Sequence, residues 1–392
     1  MNFSKEQIIS ALDKVVIAAM VIFVAFSMFS ISVTQISAGI GGLAWMTRTH
    51  LTNTWREQQW PLGIPFLLFI LACLIAVADA YDVSYSFESL KKLLEILIFF
   101  WIVNCVRENR LRNSLSLLLI IVATIAALFG FYQALRDGFS IKTRVEGSFS
   151  IYMTFAGLLM LVGMSALGRA LFKSPRENTL WFSIAIIVTC LLLTLTRQAW
   201  LGFIMGLIFL IYIRKKVFLL ALPIVLAVIV LVAPGEIKQR LENLATGRDF
   251  TLYQRVVLWQ GGWEIFKDHP LTGCGFRCVD LVNSQYPDPT GFIKELRGMH
   301  NNFVQLAVDT GLLGLTTWLG IWFCFFRLLY RRSAALEHDP ASCWMILGSA
   351  AAGVAFLAGG CFESNFYDSE VVMVLYFIMA LPLSVSKKNE IV

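Results

Sequence analysis

The tetrad Met299-His300-Asn301-Asn302 stands where a long polar segment gives way to an apolar run, and its imidazole is the side chain best suited to accept a proton near pH 7. The chain has only four histidines. A second group of interest is Arg197, a permanent cation set between two apolar stretches, Trp181 to Thr196 and Gln198 to Ile213. Arg255, Arg144 and Arg297 add positive charge within polar segments, and Glu363 lies shortly before the last apolar run. Each of these also has a purely structural reading. A histidine at a helix start can cap backbone groups, and an arginine at a membrane edge reaches for lipid headgroups. Asn301 suits an N-cap, and Arg255 suits the solvated side of an amphipathic helix. Arg144 and Arg297 could pair with Glu146 and Glu295, while Glu363 and Asp368 could be ordinary rim acids.

The elements that must position these groups follow from composition. Of the 392 residues 58% are hydrophobic and only 15% charged, with mean hydropathy +0.72. A soluble domain carries about 25% charged residues, so the class is all-α polytopic membrane protein. Net charge is +6, but Lys and Arg are spread over short connectors rather than gathered in a stripe, which excludes a nucleic-acid footprint. Apolar runs fall at 12–29, 31–47, 61–79, 88–106, 113–135, 149–172, 179–196, 198–213, 216–233, 302–328, 341–362 and 369–386, about as many helices as this length allows at roughly 20 residues per crossing. The first run follows a short basic start without a convincing cleavage site, so it reads as a retained helix.

With the N-terminus inside, Arg48, Arg56, Arg107, Arg110, Arg112, Lys173, Arg176, Arg214 to Lys216, Arg331, Arg332, Lys387 and Lys388 all fall on one side, the positive-inside pattern, and both termini are cytoplasmic. The stretch Trp181 to Ile213 would span roughly 50 Å as one helix against a hydrocarbon core of about 30 Å, so it must turn back at Arg197. The chain divides into 1–233, nine spans; 234–301, an extracytoplasmic loop; and 302–392, three spans. Between Pro234 and Gly298 eight basic residues balance eight acidic ones, as in a folded segment. Ile237, Leu241 and Leu244 form one helical stripe and Val256, Trp259, Trp263 and Phe266 another, which breaks at His269-Pro270 and the turn through Gly273 and Gly275. Trp259 and Trp263 suit interface anchors or sugar platforms, with anchoring preferred, and a probe at Asp249 is expected to react from the outside. Asp309, nine residues after His300, would lie about half a turn away around a continuous helix and would not orient the imidazole. Like Glu95 in the fourth span, it needs a partner or water at that depth. Cys274 and Cys278 could form a disulfide; a zinc site with His269 and His300 matches no familiar ligand spacing.

In this order and spacing, Thr194 to Gly202 (TLTRQAWLG), Tyr253 to Phe276 with Trp263, His269-Pro270-Leu271 and Gly273-x-Gly275, then His300-Asn301 and Asp309 to Gly314 (DTGLLG) resemble the O-antigen ligase and polymerase superfamily, and the overall layout is most similar to the O-antigen ligases. Gln198 departs from the pattern, standing where family members often carry Gly. The resemblance implies a GT-C-like glycosyltransferase that needs no metal or other cofactor. It would transfer a glycan from undecaprenyl diphosphate to the lipid A-core oligosaccharide at the periplasmic face of the inner membrane, with inversion, among membrane lipids. The residue types suit that chemistry. A planar guanidinium holds two phosphate oxygens at once, which assigns Arg197 and Arg255 to the leaving diphosphate. His300 would take the acceptor's hydroxyl proton, with Arg144, Arg297, Asn301 and Glu363 as secondary candidates. A polysaccharide polymerase and a protein O-oligosaccharyltransferase share this reaction class. A transporter of a lipid-linked or small substrate is the non-enzyme alternative, although carriers place charges near the midplane of repeated halves rather than at one face.

Overall fold

The computed structural model describes residues 4–138, 143–173, 175–221, 249–286, 290–335 and 340–384, with Asp288 and scattered positions between 223 and 246. Among the described residues every regular element is helical: α1 (Lys5–Phe26), α2 (Ile31–Thr52), α3 (Gly63–Ala78), α4 (Val83–Ser89), α5 (Ile96–Cys105), α6 (Asn109–Asp137), α7 (Tyr152–Phe172), α8 (Leu180–Leu193), α9 (Arg197–Arg214), α10 (Phe250–Asp268), α11 (Val279–Val282), α12 (Phe292–Leu296), α13 (Asn302–Ala335), α14 (Pro340–Gly359) and α15 (Ser369–Ala380). Segments of α1, α6, α7, α9, α13 and α14 are long and apolar enough to cross a bilayer, and α3, α8 and the last helix are shorter apolar rods. The protein is an all-α polytopic membrane protein. The outer face of α3 shows why: it presents Ile64, Leu67, Leu68 and Leu71 outward while burying Phe66, Phe69 and Cys73, an arrangement that only a lipid solvent favours. The run at 216–233 and the stripe Ile237, Leu241, Leu244 lie for the most part outside the described residues.

Small residues set the packing around α9. A Cβ at Gly202 would lie 2.5 Å from the Ala355 carbonyl oxygen, and one at Gly206 would lie 2.9 Å from that of Ala351. The four-residue spacing on both helices lets α9 and α14 approach backbone to backbone, the usual means of helix association where lipid offers no hydrophobic drive. Gly168 of α7 meets Gly348 of α14 in the same way. Thus α7, α9 and α14 form a close-packed centre, and Arg197 is fixed as the first residue of α9. The break before it agrees with the length expectation: Leu195 adopts a left-handed φ of 53°, and the Trp200 indole donates back to the Leu191 carbonyl at 3.0 Å.

Two features differ from the sequence expectation. The run at 88–106 is not one α-helix; it takes in the end of α4 and a 3-10 turn, Leu90–Glu95, before α5. The run at 302 onward is interrupted, because Gly311 adopts φ 62°, ψ −163°. The reason is a backbone seam. Leu312 and Leu313 donate to the carbonyls of Pro270 and Leu271, while Cys274 and Gly275 donate to those of Val308 and Asp309. A Cβ at Gly311 would fall 2.3 Å from Leu271, and one at Gly273, at φ 72°, would fall 2.4 Å from Asp309. Only glycine allows both the handedness and the contact. The two short motifs of the sequence are therefore one structural device that stitches the outer loop to α13. Cys274 and Cys278, joined as a disulfide with Cα atoms 5.7 Å apart, close the adjoining turn.

Candidate active site

Helix α10 starts at Asp249, whose carboxylate caps it by accepting from Leu252 N at 2.8 Å. The same carboxylate accepts both terminal nitrogens of Arg197, Nη2 to Oδ1 at 2.9 Å and Nη1 to Oδ2. The Asp249 side chain is only 8% exposed. The capping demand of α10 and the guanidinium of α9 draw it inward. Arg255 follows on α10. Together Arg197, Gln198, Leu201, Leu252, Arg255 and Phe362 line a pocket of about 210 Å³.

The Arg255 guanidinium is largely buried, and its Nε has no hydrogen-bond partner among the described residues. Burial pushes its pKa down; the carboxylate of Glu363 opposes this, Arg197 adds to it, and Tyr152 and Asp249 oppose it. A buried guanidinium nitrogen without an acceptor is costly, and an anionic ligand would supply what it lacks.

Next to the Phe362 wall of this pocket, Glu363 meets His300, with Nδ1 and Oε1 3.1 Å apart. The carboxylate is held on its other side by Gln198 Nε2, 3.3 Å from Oε2, and by the Ser364 backbone N–H at 3.1 Å from Oε1. With the Nδ1 proton directed to Glu363, Nε2 is left as the basic nitrogen. His300 itself sits at φ 44°, a region a non-glycine residue keeps only when its surroundings over-determine it. They do. Before it, Met299 donates to Gln305 at 2.8 Å and accepts from the Trp259 indole at 2.9 Å. After it, Asn301 N donates to Ser364 Oγ at 3.2 Å, Asn302 N to Gly360 O at 2.7 Å, and Asn302 Nδ2 to Asn365 Oδ1 at 2.5 Å.

The structure thus brings His300, Glu363, Arg197 and Arg255 together from four distant segments. Asn301 caps α13 through Phe303 N and Val304 N at 2.8 and 3.2 Å, the structural role first read for it. Asp309 does not reach His300; its Oδ1 accepts from Gln305 at 3.1 Å. Arg144 stacks over the ring of Tyr152 at 4.3 Å, a tyrosine whose charge is felt at Arg255. Arg297 is exposed at the C-cap of α12 and forms no ion pair among the described residues; its charge is felt at Tyr85, away from the pocket. Two readings need correction. Trp259 is not a membrane anchor, since its indole holds Met299 and its ring lies 5.7 Å from that of Phe362. Gln198 is more than a departure from the motif, because it braces Glu363. Asp249 and Gln198 carried no sequence signal of their own, and Glu363 was visible only as an acid beside the last span.

Residues 182–319 match the family model described as O-antigen ligase. Over these residues the chain is similar to the O-antigen ligase family. The matched segment contains Arg197, Arg255 and His300 but stops short of Glu363, which the fold supplies from outside it. A curated relative, the exopolysaccharide production protein ExoQ of Rhizobium meliloti (strain 1021), is 31% identical over 103 residues, a quarter of this chain and 24% of that protein's length. The O-antigen ligase resemblance read from the sequence is borne out over this central segment.

Proposed function

We propose that the protein is a glycosyltransferase that moves a glycan from undecaprenyl diphosphate to the lipid A-core oligosaccharide on the periplasmic side of the inner membrane. The observation that carries this reading is the juxtaposition of a buried, incompletely bonded Arg255 with an imidazole oriented by a carboxylate, 3.1 Å from Glu363. The acceptor hydroxyl attacks the anomeric carbon and gives its proton to His300 Nε2. The bond from that carbon to the diphosphate oxygen breaks, and its electron pair leaves on the diphosphate. A single displacement inverts the centre. Arg255, steadied in the same pocket as Arg197, takes up the growing negative charge with donors already in place, the role a divalent cation would otherwise fill. Glu363 stabilises the imidazolium as it forms.

The family match and the similarity to an exopolysaccharide production protein support the reaction class. The acceptor separates this reading from polymerisation, which the same groups would serve. The test is reconstitution with a polyprenyl-diphosphate glycan, rough lipopolysaccharide and a chelator. Glycan appearing on lipid A-core supports ligation. Extension of the polyprenyl-linked glycan alone identifies a polymerase, and a strict metal requirement overturns the arginine-based step.

A further inference from the structure

A cavity of about 540 Å³ lies away from the pocket of Arg197 and Arg255, between α2, the 3-10 turn leading into α5, and α15. This is within the roughly 300–1,000 Å³ typical of small-molecule sites. Its lining is mixed. Gln35, Lys91, Lys92, Glu95 and Ser369 lie near the starts of three helices, with Leu94, Leu97 and Ile98 beside them, and Gly42, Met46 and Met373 lie further along α2 and α15. Ser369 ties the polar group to the active site in the chain, six residues after Glu363. That strap is anchored throughout: Glu363 at His300, Phe366 N on Asn302 Oδ1 at 2.9 Å, the Tyr367 carbonyl on Lys92 Nζ, and Asp368 on Thr154.

Glycines on α2 separate two uses of a missing side chain. A Cβ at Gly41 would lie 2.2 Å from Trp101, so this glycine serves helix packing, whereas a Cβ at Gly39 or Gly42 would meet nothing within 4 Å. The latter two face open space in the cavity wall, and packing of the protein on itself does not account for them. A site with ammonium, amide, carboxylate and hydroxyl groups at the helix starts and apolar lining beside and beyond them fits an amphiphile whose head offers both hydroxyls and negative charge. The donor's diphosphate is already accommodated at the other end of the strap. Resting on the glycosyl-transfer reading above, we propose that this cavity receives one acyl chain and the adjoining head-group of the glycolipid acceptor, so that the two lipid substrates approach the His300–Glu363 dyad from opposite ends of the 363–370 strap.

The test uses the full-length protein in lipid nanodiscs. Gly42→Leu and Gly39→Leu start from positions where an added Cβ has open space around it, and thermal unfolding checks that each variant is folded. Each is expected to raise the KM for rough lipopolysaccharide about tenfold while leaving the affinity for the polyprenyl-diphosphate donor unchanged. In parallel, a lipid A-core probe with a diazirine in one acyl chain is expected to label the 39–46 segment, and excess rough lipopolysaccharide to suppress that labelling. An unchanged acceptor KM in a folded, active Gly42→Leu variant overturns the proposal. So does labelling of 39–46 by a diazirine-bearing polyprenyl donor in place of the acceptor probe, or by a phospholipid probe that rough lipopolysaccharide fails to displace, the mark of a structural lipid. If the wild type transfers glycan to no acceptor, the function reading itself fails, a result distinguishable from all of these.

Discussion

Three arginines of this molecule face very different company. Arg169 of α7, 2% exposed, is saturated: Nε and Nη2 bind both oxygens of Glu177 at 2.7 and 3.0 Å, Nη1 donates to the Asn113 carbonyl at 3.0 Å, and the guanidinium stacks on Trp344. Arg197 gives its terminal nitrogens to Asp249, whereas Arg255 is buried with its Nε unanswered. Arg169 thus has a partner on every guanidinium nitrogen, Arg255 keeps its Nε open among the described residues, and Arg197 stands between them, held in a fixed pose by its carboxylate. Residue type alone does not separate these three; their partners do.

The comparison is most sharply tested by Arg255→Ala and Arg255→Lys. Loss of transfer by roughly 10²–10³-fold is expected for alanine, as for removal of one pre-organised donor at a developing charge. Lysine is expected to restore little, since a point charge lacks the fork that grips two phosphate oxygens. Recovery of most activity by lysine in a steady-state transfer assay would demote Arg255 to a general electrostatic contribution. Next in size is Glu363→Gln. Its amide can donate to His300 Nδ1 and so favour the tautomer whose Nε2 carries the proton, and about 10²-fold loss of transfer is expected with donor affinity intact. A wild-type pH–rate profile in that variant would exclude Glu363 as the orienting group.

Asp249→Ala removes a helix cap and leaves Arg197 without its partner. Breaking a buried pair from one side costs about 3–5 kcal/mol, so thermal unfolding should report a marked loss of stability together with reduced transfer. If stability falls and transfer does not, Arg197 belongs with Arg169 as a structural cation. The smallest effect concerns Glu177. Hydrogen bonds from Arg169, followed by Lys173, hold its carboxyl down at about 2, below an ordinary value of 4.5. The folded form is therefore favoured above pH 4.5, and this contribution fades as pH falls toward 2. Glu177→Gln should flatten acid unfolding in that window only and leave transfer at neutral pH unchanged.

Much of the architecture was legible in the sequence because lipid imposes length and polarity on every span, and the turn at Arg197 followed from a run too long for one crossing. His300 stood out as a candidate because a titrating group between polar loop and apolar helix is unusual by type and place, whereas Arg197 and Arg255 were singled out through the motifs of the family resemblance. Their partners were not. Glu363 lies 63 residues beyond His300 and Asp249 lies 52 beyond Arg197, and nothing local to a carboxylate tells which distant cation will claim it. The break at Gly311 was missed for the same reason: a helical pattern continues through it, and only the seam with Pro270 to Gly275, contributed by another segment, explains the glycine. Trp259 was misread because an indole at a boundary suits lipid and a buried carbonyl equally well.

In the proposed mechanism labour is divided, with arginine binding the leaving group and histidine moving the proton. The direct measurement sets equilibrium binding of a polyprenyl-diphosphate glycan beside single-turnover transfer to rough lipopolysaccharide, for the wild type, His300→Asn and Arg255→Ala. Asparagine tolerates the left-handed backbone at position 300 and so preserves the loop. His300→Asn should bind donor as tightly as the wild type yet transfer roughly 10²–10⁴-fold more slowly, whereas Arg255→Ala should lose donor affinity as well as transfer. Transfer at the wild-type rate by His300→Asn, or undiminished donor binding by Arg255→Ala, would contradict the account.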